Sequence, residues 1–165
     1  MPGKIYQYLA GDHARLDDLL QRAAARPGSI ETSAYAEFRA GLLKHIAMEE
    51  KILLPAAQRA RGGESLPIAA KLRLDHGALA ALLVPTPTAS IIAAIRAVFE
   101  AHNPIEEGPG GLYEQCEVLA GAKADEIFDT LRNAPEVRVN QHNDGPNVLE
   151  ATRWTLKKAG YSLKM

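Results

Sequence analysis

The chain has 165 residues, of which 47% are hydrophobic and only 5% aromatic, and its formal net charge is −1. This length fits about one domain with a core of its own, and a near-neutral chain without a basic face argues against a nucleic-acid partner. The single cysteine excludes a disulfide framework. No apolar run reaches the roughly 18 residues of a membrane span and no signal-peptide pattern is seen, so we expect a cytosolic protein without membrane contacts.

Apolar residues at helical spacing predict four long helices in the first two thirds of the chain. They run over about residues 4–26, 33–61, 68–84 and from 88 past His102. Pro55 and Pro104 fall inside the second and fourth helices, where we expect a kink and a distortion. Short turns between long helices are typical of antiparallel neighbours, so the sequence predicts an all-α, up-down-up-down four-helix bundle.

The character of the chain changes after this predicted bundle. A further helical stretch covers about residues 112–131, with an interruption at Gly121. Residues 136–140 look extended, and about 147–158 form a last amphipathic helix that Gly160 ends. We therefore divide the chain into a bundle, residues 1–134, and a C-terminal extension, residues 135–165, that packs on the bundle or contributes to a homodimer contact.

The same motif occurs in both predicted helical hairpins, and it contains four of the five histidines. The two copies are Asp12-His13-x-x-Leu16-x-x-Leu19-Leu20 with His45-x-x-x-Glu49-Glu50, and Asp75-His76-x-x-Leu79-x-x-Leu82-Leu83 with His102-x-x-x-Glu106-Glu107. A duplicated pattern of this length is a much stronger signal than a short single motif.

Histidine and glutamate four residues apart on a helix point to the same side, one turn from each other. Because bundle helices lie about 8–10 Å apart, the six groups can converge in the core. The predicted metal ligands are His13, His45, Glu49, His76, His102 and Glu106. Six ligands could saturate one octahedral ion, but two equivalent halves favour two ions bridged by both carboxylates, about 3.5–4 Å apart. Mixed imidazole and carboxylate ligation suits iron, with hydroxide or oxide bridges offsetting the remaining charge.

The residues beside the predicted ligands have competing interpretations. Glu50 and Glu107 point about 100° away from their glutamate neighbours, so we expect solvated helix faces. Asp12 and Asp75 could orient imidazoles of adjacent helices or be exposed acidic residues, and the sequence favours neither. His142 stands outside the repeat in a polar turn and is expected at the surface.

Three tyrosines could approach the predicted centre and hydrogen-bond a bound ligand. They are Tyr6, Tyr8 and Tyr113. We expect all three to serve core packing instead.

These residues resemble the hemerythrin-like (HHE cation-binding) family over about residues 5–120, including the stretch His45-Ile-Ala-Met-Glu-Glu-Lys-Ile-Leu-Leu-Pro55. The resemblance implies a bundle that holds a non-haem di-iron centre. It implies that His13 and His45 bind one iron and His76 and His102 the other. Glu49 and Glu106 would bridge the two ions together with an oxo or hydroxo group.

The family's oxygen carriers have a fifth histidine one turn from the ligand on the third helix. Leu72 and Ala80 stand at those positions here. The carriers also have an aspartate five residues after the histidine of the fourth helix, where this chain has Glu106 four residues after His102. The resemblance therefore implies a more open centre, suited to dioxygen, peroxide or nitric oxide rather than to reversible oxygen carriage.

Three functions are compatible with such a centre. The leading interpretation is a protein that binds or senses dioxygen, nitric oxide or peroxide. The alternatives are a di-iron enzyme of peroxide or oxygen chemistry, and a storage or structural site for another divalent cation such as zinc. No Ser-His-Asp or Cys-His arrangement with credible spacing supplies a second catalytic group, so the sequence leans away from an enzyme.

Overall fold

The computed structural model describes residues 2–164, and within that range it contains helices and no strand. The helices are α1 (Lys4–Ala23), α2 (Thr32–Met48), α3 (Leu54–Ala60), α4 (Ala69–Leu82), α5 (Ala89–Glu107), α6 (Leu112–Ala120), α7 (Ala124–Arg132) and α8 (Pro146–Ala159). The expected all-helical class is confirmed. None of the helices among residues 2–164 is long and apolar enough to cross a membrane.

Side-chain caps define where two of the long helices begin. The Glu31 carboxylate accepts hydrogen bonds from the backbone of Ser33 and Ala34 at the start of α2. At the start of α5, the Thr88 hydroxyl accepts one from Ile91. Both caps satisfy N–H groups that have no partner inside the helix, and so stabilise the start of the helices that carry His45 and His102.

The two prolines inside the predicted helices have different effects. A π-helical turn, Glu49–Leu53, joins α2 to α3, and Pro55 lies in the first turn of α3, where its missing N–H costs little. The predicted kink therefore takes the form of a widened turn that begins at Glu49, one of the predicted ligands. In contrast, α5 is continuous through Pro104. Pro104 and Glu100, whose carbonyl loses its partner, are both exposed, so water can bond that carbonyl.

Two apolar clusters form the core, and each long helix runs from one to the other. The first cluster includes Leu16, Leu42, Leu79 and Val98, and the second includes Leu9, Met48, Leu72 and Tyr113. Along α1 and α4 the second cluster comes before the first, whereas along α2 and α5 the first comes before the second. The histidine of each helix lies in between, so a polar layer separates the two apolar clusters.

The chain after α7 returns to the bundle. Residues 135–145 have no regular secondary structure, so the expected extended stretch at 136–140 is not part of a sheet. In α8, Leu156 belongs to the first apolar cluster, and the Lys71 ammonium on α4 donates to the carbonyl of Ala159 at 2.7 Å. Gly160 then ends α8 with φ of +97°, a left-handed conformation that glycine adopts without strain. The boundary at residue 134 and the homodimer contact stay predictions.

Candidate metal centre

The four histidines of the repeated motif meet in the polar layer, one from each of α1, α2, α4 and α5. Their exposed fractions are 8% for His13, 2% for His45, 4% for His76 and 2% for His102. Four buried imidazoles from four different helices are expensive in an apolar core unless polar or charged partners surround them.

Two fully buried glutamates supply those partners. One carboxylate oxygen of Glu106 lies 3.0 Å from Nε2 of His13, and the other lies 3.0 Å from Nε2 of His102 and 3.3 Å from Nε2 of His76. Oε1 of Glu49 lies 3.2 Å from Nε2 of His45 and 3.5 Å from Nε2 of His76. All six predicted ligands thus come together, with the carboxylates between the imidazoles.

Atoms of the predicted ligands form two groups, each of which could hold a metal ion. Atoms of His13, His45 and Glu106 lie within 4.8 Å of one another, and so do atoms of His76, His102 and Glu106. Glu106 therefore belongs to both groups, one with the histidines of the first hairpin and one with those of the second. The pairing of the histidines is the one that the resemblance implies.

Carboxylates also meet the outward-facing nitrogen of every imidazole. Within the hairpins, Asp12 lies 2.7 Å from Nδ1 of His45, and Asp75 lies 3.0 Å from Nδ1 of His102. The structure thus supports the orienting role for both aspartates rather than simple exposure. A carboxylate at Nδ1 holds the hydrogen there and turns the Nε2 lone pair toward the centre.

The second glutamate of each Glu-Glu pair has the same role between the hairpins, and the prediction of solvated helix faces is wrong. Glu50 lies 2.8 Å from Nδ1 of His76, and Glu107 lies 2.5 Å from Nδ1 of His13. A residue 100° around the helix misses the centre, but it reaches the back of an imidazole on the neighbouring helix. The signal was present in the sequence, since the Glu-Glu pair occurs in both copies of the motif.

This concentration of carboxylates changes the acidity of the imidazoles. Burial opposes a charge on His45, yet Glu49 and Asp12 beside it raise its pKa to about 10. Burial also opposes a charge on His102, but Asp75 and Glu106 beside it raise its pKa to about 9. Without a cation the pocket therefore attracts protons to these imidazoles, and a metal ion would replace them.

Tyr113 on α6 is buried, as expected, but its hydroxyl reaches the centre. Its oxygen lies 3.1 Å from Nε2 of His13, 3.2 Å from Nε2 of His45, 3.1 Å from Oε2 of Glu49 and 3.3 Å from Oε1 of Glu106. The expectation that this side chain serves core packing alone is wrong. Nothing in its sequence position indicates the contact, because 100 residues separate it from His13.

The other singled-out residues lie outside the centre. The Tyr6 hydroxyl donates to the carbonyl of Glu107 at 2.7 Å, and the Tyr8 ring packs on Phe128. His142 is exposed and lies 3.2 Å from the carbonyl of Val84. The expected surface position of His142 agrees with this geometry.

Comparison with known proteins identifies the family. The family model of the hemerythrin HHE cation binding domain matches residues 4–133, which is most of the chain and contains the whole centre. Comparison with curated proteins gave no match, and neither did comparison with solved structures. The chain belongs to the hemerythrin HHE family of cation-binding domains.

Proposed function

We propose that this protein is a non-haem di-iron protein that binds or senses a small oxidising ligand, namely dioxygen, nitric oxide or peroxide. The observation that carries the proposal is the orientation of four buried imidazoles, each with a carboxylate at Nδ1 and with Nε2 directed toward Glu49 or Glu106. Such second partners of the imidazole are typical of metal ligands.

The polar atoms of the pocket fit a cation better than they fit one another. Oε1 of Glu49 is buried and has no hydrogen-bond partner among the described residues, although Nε2 of His45 lies 3.2 Å away. A buried carboxylate oxygen without a partner is costly, and a cation between it and the imidazole would remove that cost.

Two ions suit the pocket better than one. Four imidazoles divide into two pairs around Glu106, and each pair lies on its own hairpin. Imidazole nitrogens with carboxylate oxygens and no thiolate suit iron, while zinc remains the chemical alternative. The alternating order of the two apolar clusters along α1, α2, α4 and α5 supports the antiparallel up-down-up-down bundle that such a centre requires.

The protein's own residues determine what can react there. A pair of bridged iron ions supplies redox chemistry and an affinity for small oxygen- and nitrogen-containing ligands when bound. Glu49 and Glu106 keep the positive charge balanced, and the Nδ1 carboxylates hold the imidazoles in one tautomer. Because every predicted ligand is at most 8% exposed, the centre is shielded from bulk water, which suits a small ligand better than a bulky substrate.

Elemental analysis with anaerobic spectroscopy tests this proposal. We expect about two irons per chain, and a ferrous protein whose visible spectrum changes when dioxygen, nitric oxide or peroxide is added. A persistent new band supports binding or sensing, whereas catalytic loss of peroxide favours the enzyme. Native protein that contains only zinc, or that takes up no transition metal from iron-supplemented medium, contradicts the proposal.

A further inference from the structure

We propose that Tyr113 is a further ligand of the centre, which binds as a phenolate to the ion held by His13 and His45. This inference rests on the proposed metal site, but it concerns a residue outside the repeated motif. It makes the two halves of the centre chemically different.

The distances around the Tyr113 hydroxyl are those between neighbouring ligands of one ion. Nitrogen and oxygen donors about 2.1 Å from a metal, at right angles to each other, lie about 3.0 Å apart. The hydroxyl oxygen lies between 3.1 and 3.3 Å from one donor atom each of His13, His45, Glu49 and Glu106. The hydroxyl oxygen therefore lies where a fifth ligand of the same ion would lie, adjacent to all four of these donor atoms.

Hydrogen bonding alone does not account for these four contacts. A phenol has one hydrogen to donate and two lone pairs to accept with, so it can make three hydrogen bonds. Four close polar neighbours exceed that number. As a ligand, Tyr113 would give up its hydroxyl proton to solvent and hold the metal through the phenolate oxygen, with no change in oxidation state.

The surrounding structure fixes the ring in this position. Tyr113 is fully buried, and the Tyr6 ring meets it edge-on at 6.0 Å between centroids. The tight turn before α6 brings it back toward α5. Any residue larger than glycine at position 111 would force this turn to shift, because its Cβ would lie 2.6 Å from the carbonyl oxygen of Ile105. The glycine-rich turn thus positions a side chain of the centre.

Among residues 2–164, no tyrosine hydroxyl is seen to contact the Nε2 atoms of the other half of the centre. The residue at the same spacing from His45 as Tyr113 has from His102 is Ala56, which cannot bind a metal. The recorded Nε2 contacts of His76 and His102 are with Glu49 and Glu106. On the ion held by His76 and His102, the coordination position that corresponds to the phenolate therefore stays open for another ligand.

Spectroscopy of iron-loaded protein tests the proposal, with Tyr113→Phe as the variant and Tyr6→Phe as the matched control. Ferric phenolate complexes absorb visible light and show ring vibrations in resonance Raman spectra. We expect these bands in the wild type and in Tyr6→Phe, and their loss in Tyr113→Phe. The iron content of the variant should stay near that of the wild type, because six ligands remain.

The outcomes separate this proposal from the di-iron proposal. Wild-type protein that holds two irons but shows no phenolate vibrations overturns the role of Tyr113 and leaves the di-iron centre intact. Wild-type protein that binds no iron overturns both. If Tyr113→Phe does not fold, wild-type protein grown on ring-deuterated tyrosine decides, since vibrations of a bound phenolate shift on labelling and unshifted bands contradict the proposal.

Discussion

Replacement of Asp75 by asparagine should weaken one half of the centre more than the other. Asp75 is fully buried, with one oxygen 3.0 Å from Nδ1 of His102 and the other 2.7 Å from the Lys71 ammonium. Asparagine has the same shape, and its one oxygen can still accept the Nδ1 hydrogen of His102. Its NH2 group then faces the Lys71 ammonium, so the hydrogen bond from Lys71 is lost. What is lost is the negative charge of Asp75, which makes Nε2 of His102 more basic and so a stronger metal ligand.

The expected size comes from carboxylates that hydrogen-bond metal-bound histidines in other proteins. Loss of such a carboxylate lowers the metal affinity about 10–100-fold, or ~1.4–2.7 kcal/mol. We expect Asp75→Asn to weaken the ion held by His76 and His102 by that factor. Asp12→Asn, its counterpart in the repeat, should weaken the ion held by His13 and His45. Asp129→Asn is the matched surface control, since this side chain is exposed and pairs only with Arg132 among its recorded ion pairs.

Competition with a coloured chelator measures both dissociation constants in each variant. Circular dichroism of the metal-free variants verifies that the helices are intact, so that a loss of affinity reflects the site. Two unchanged constants in Asp75→Asn would contradict the orienting role of the Nδ1 carboxylates. A loss of the same size in Asp129→Asn would show that net charge, rather than the contact with His102, sets the affinity.

Three further predictions concern the centre and the turn that leads to Tyr113. The metal-free protein should lose stability as the pH rises from about 6.5, because the raised imidazole pKa values, about 10 for His45, stabilise the fold only while the rings are protonated. The gap in melting temperature between loaded and metal-free protein should therefore widen between pH 6.5 and pH 9, and a gap that narrows contradicts this. Glu106→Gln should retain less metal after desalting than Glu49→Gln, because Glu106 contacts three of the four imidazoles; equal retention of two ions in both variants would refute its shared role. Gly111→Ala should lower the melting temperature by an amount equivalent to about 1–3 kcal/mol, whereas Gly11→Ala, exposed in α1 with open space at its Cβ, should raise it slightly.

The parts of the site that depend on helical spacing could be predicted from the sequence. His45 and Glu49 are four residues apart, so any regular helix places them together, and the repeat supplies the same pair in His102 and Glu106. The helical class follows from the same periodicity. The assignment of these residues as metal ligands stays a prediction until a metal is measured.

The remaining contacts depend on packing between distant segments. Glu50 contacts His76 because the packing of a neighbouring helix brings Nδ1 of that imidazole within reach. The geometry of a single helix predicts only that the Glu50 side chain points away from the centre. Tyr113 follows a glycine-rich turn whose path no periodicity describes. The π-helical turn at Glu49 was equally hidden, because Pro55 predicts a disturbance but not its form.

Groups outside the repeated motif reach both halves of the centre. The Tyr113 hydroxyl lies beside His13 and His45, and Arg15 pairs with Asp12 behind His45. On the other half, Lys71 pairs with Asp75 behind His102 and also donates to the carbonyl of Ala159. Ala159 lies beyond the residues that match the family, so this second support belongs to the C-terminal extension of this chain. A phenolate of Tyr113 would take one ligand position of the ion held by His13 and His45, whereas Lys71 and the extension act on the other half only through Asp75 and His102. We therefore expect the small ligand to bind the ion held by His76 and His102, with Asp75 and the extension setting the basicity of His102.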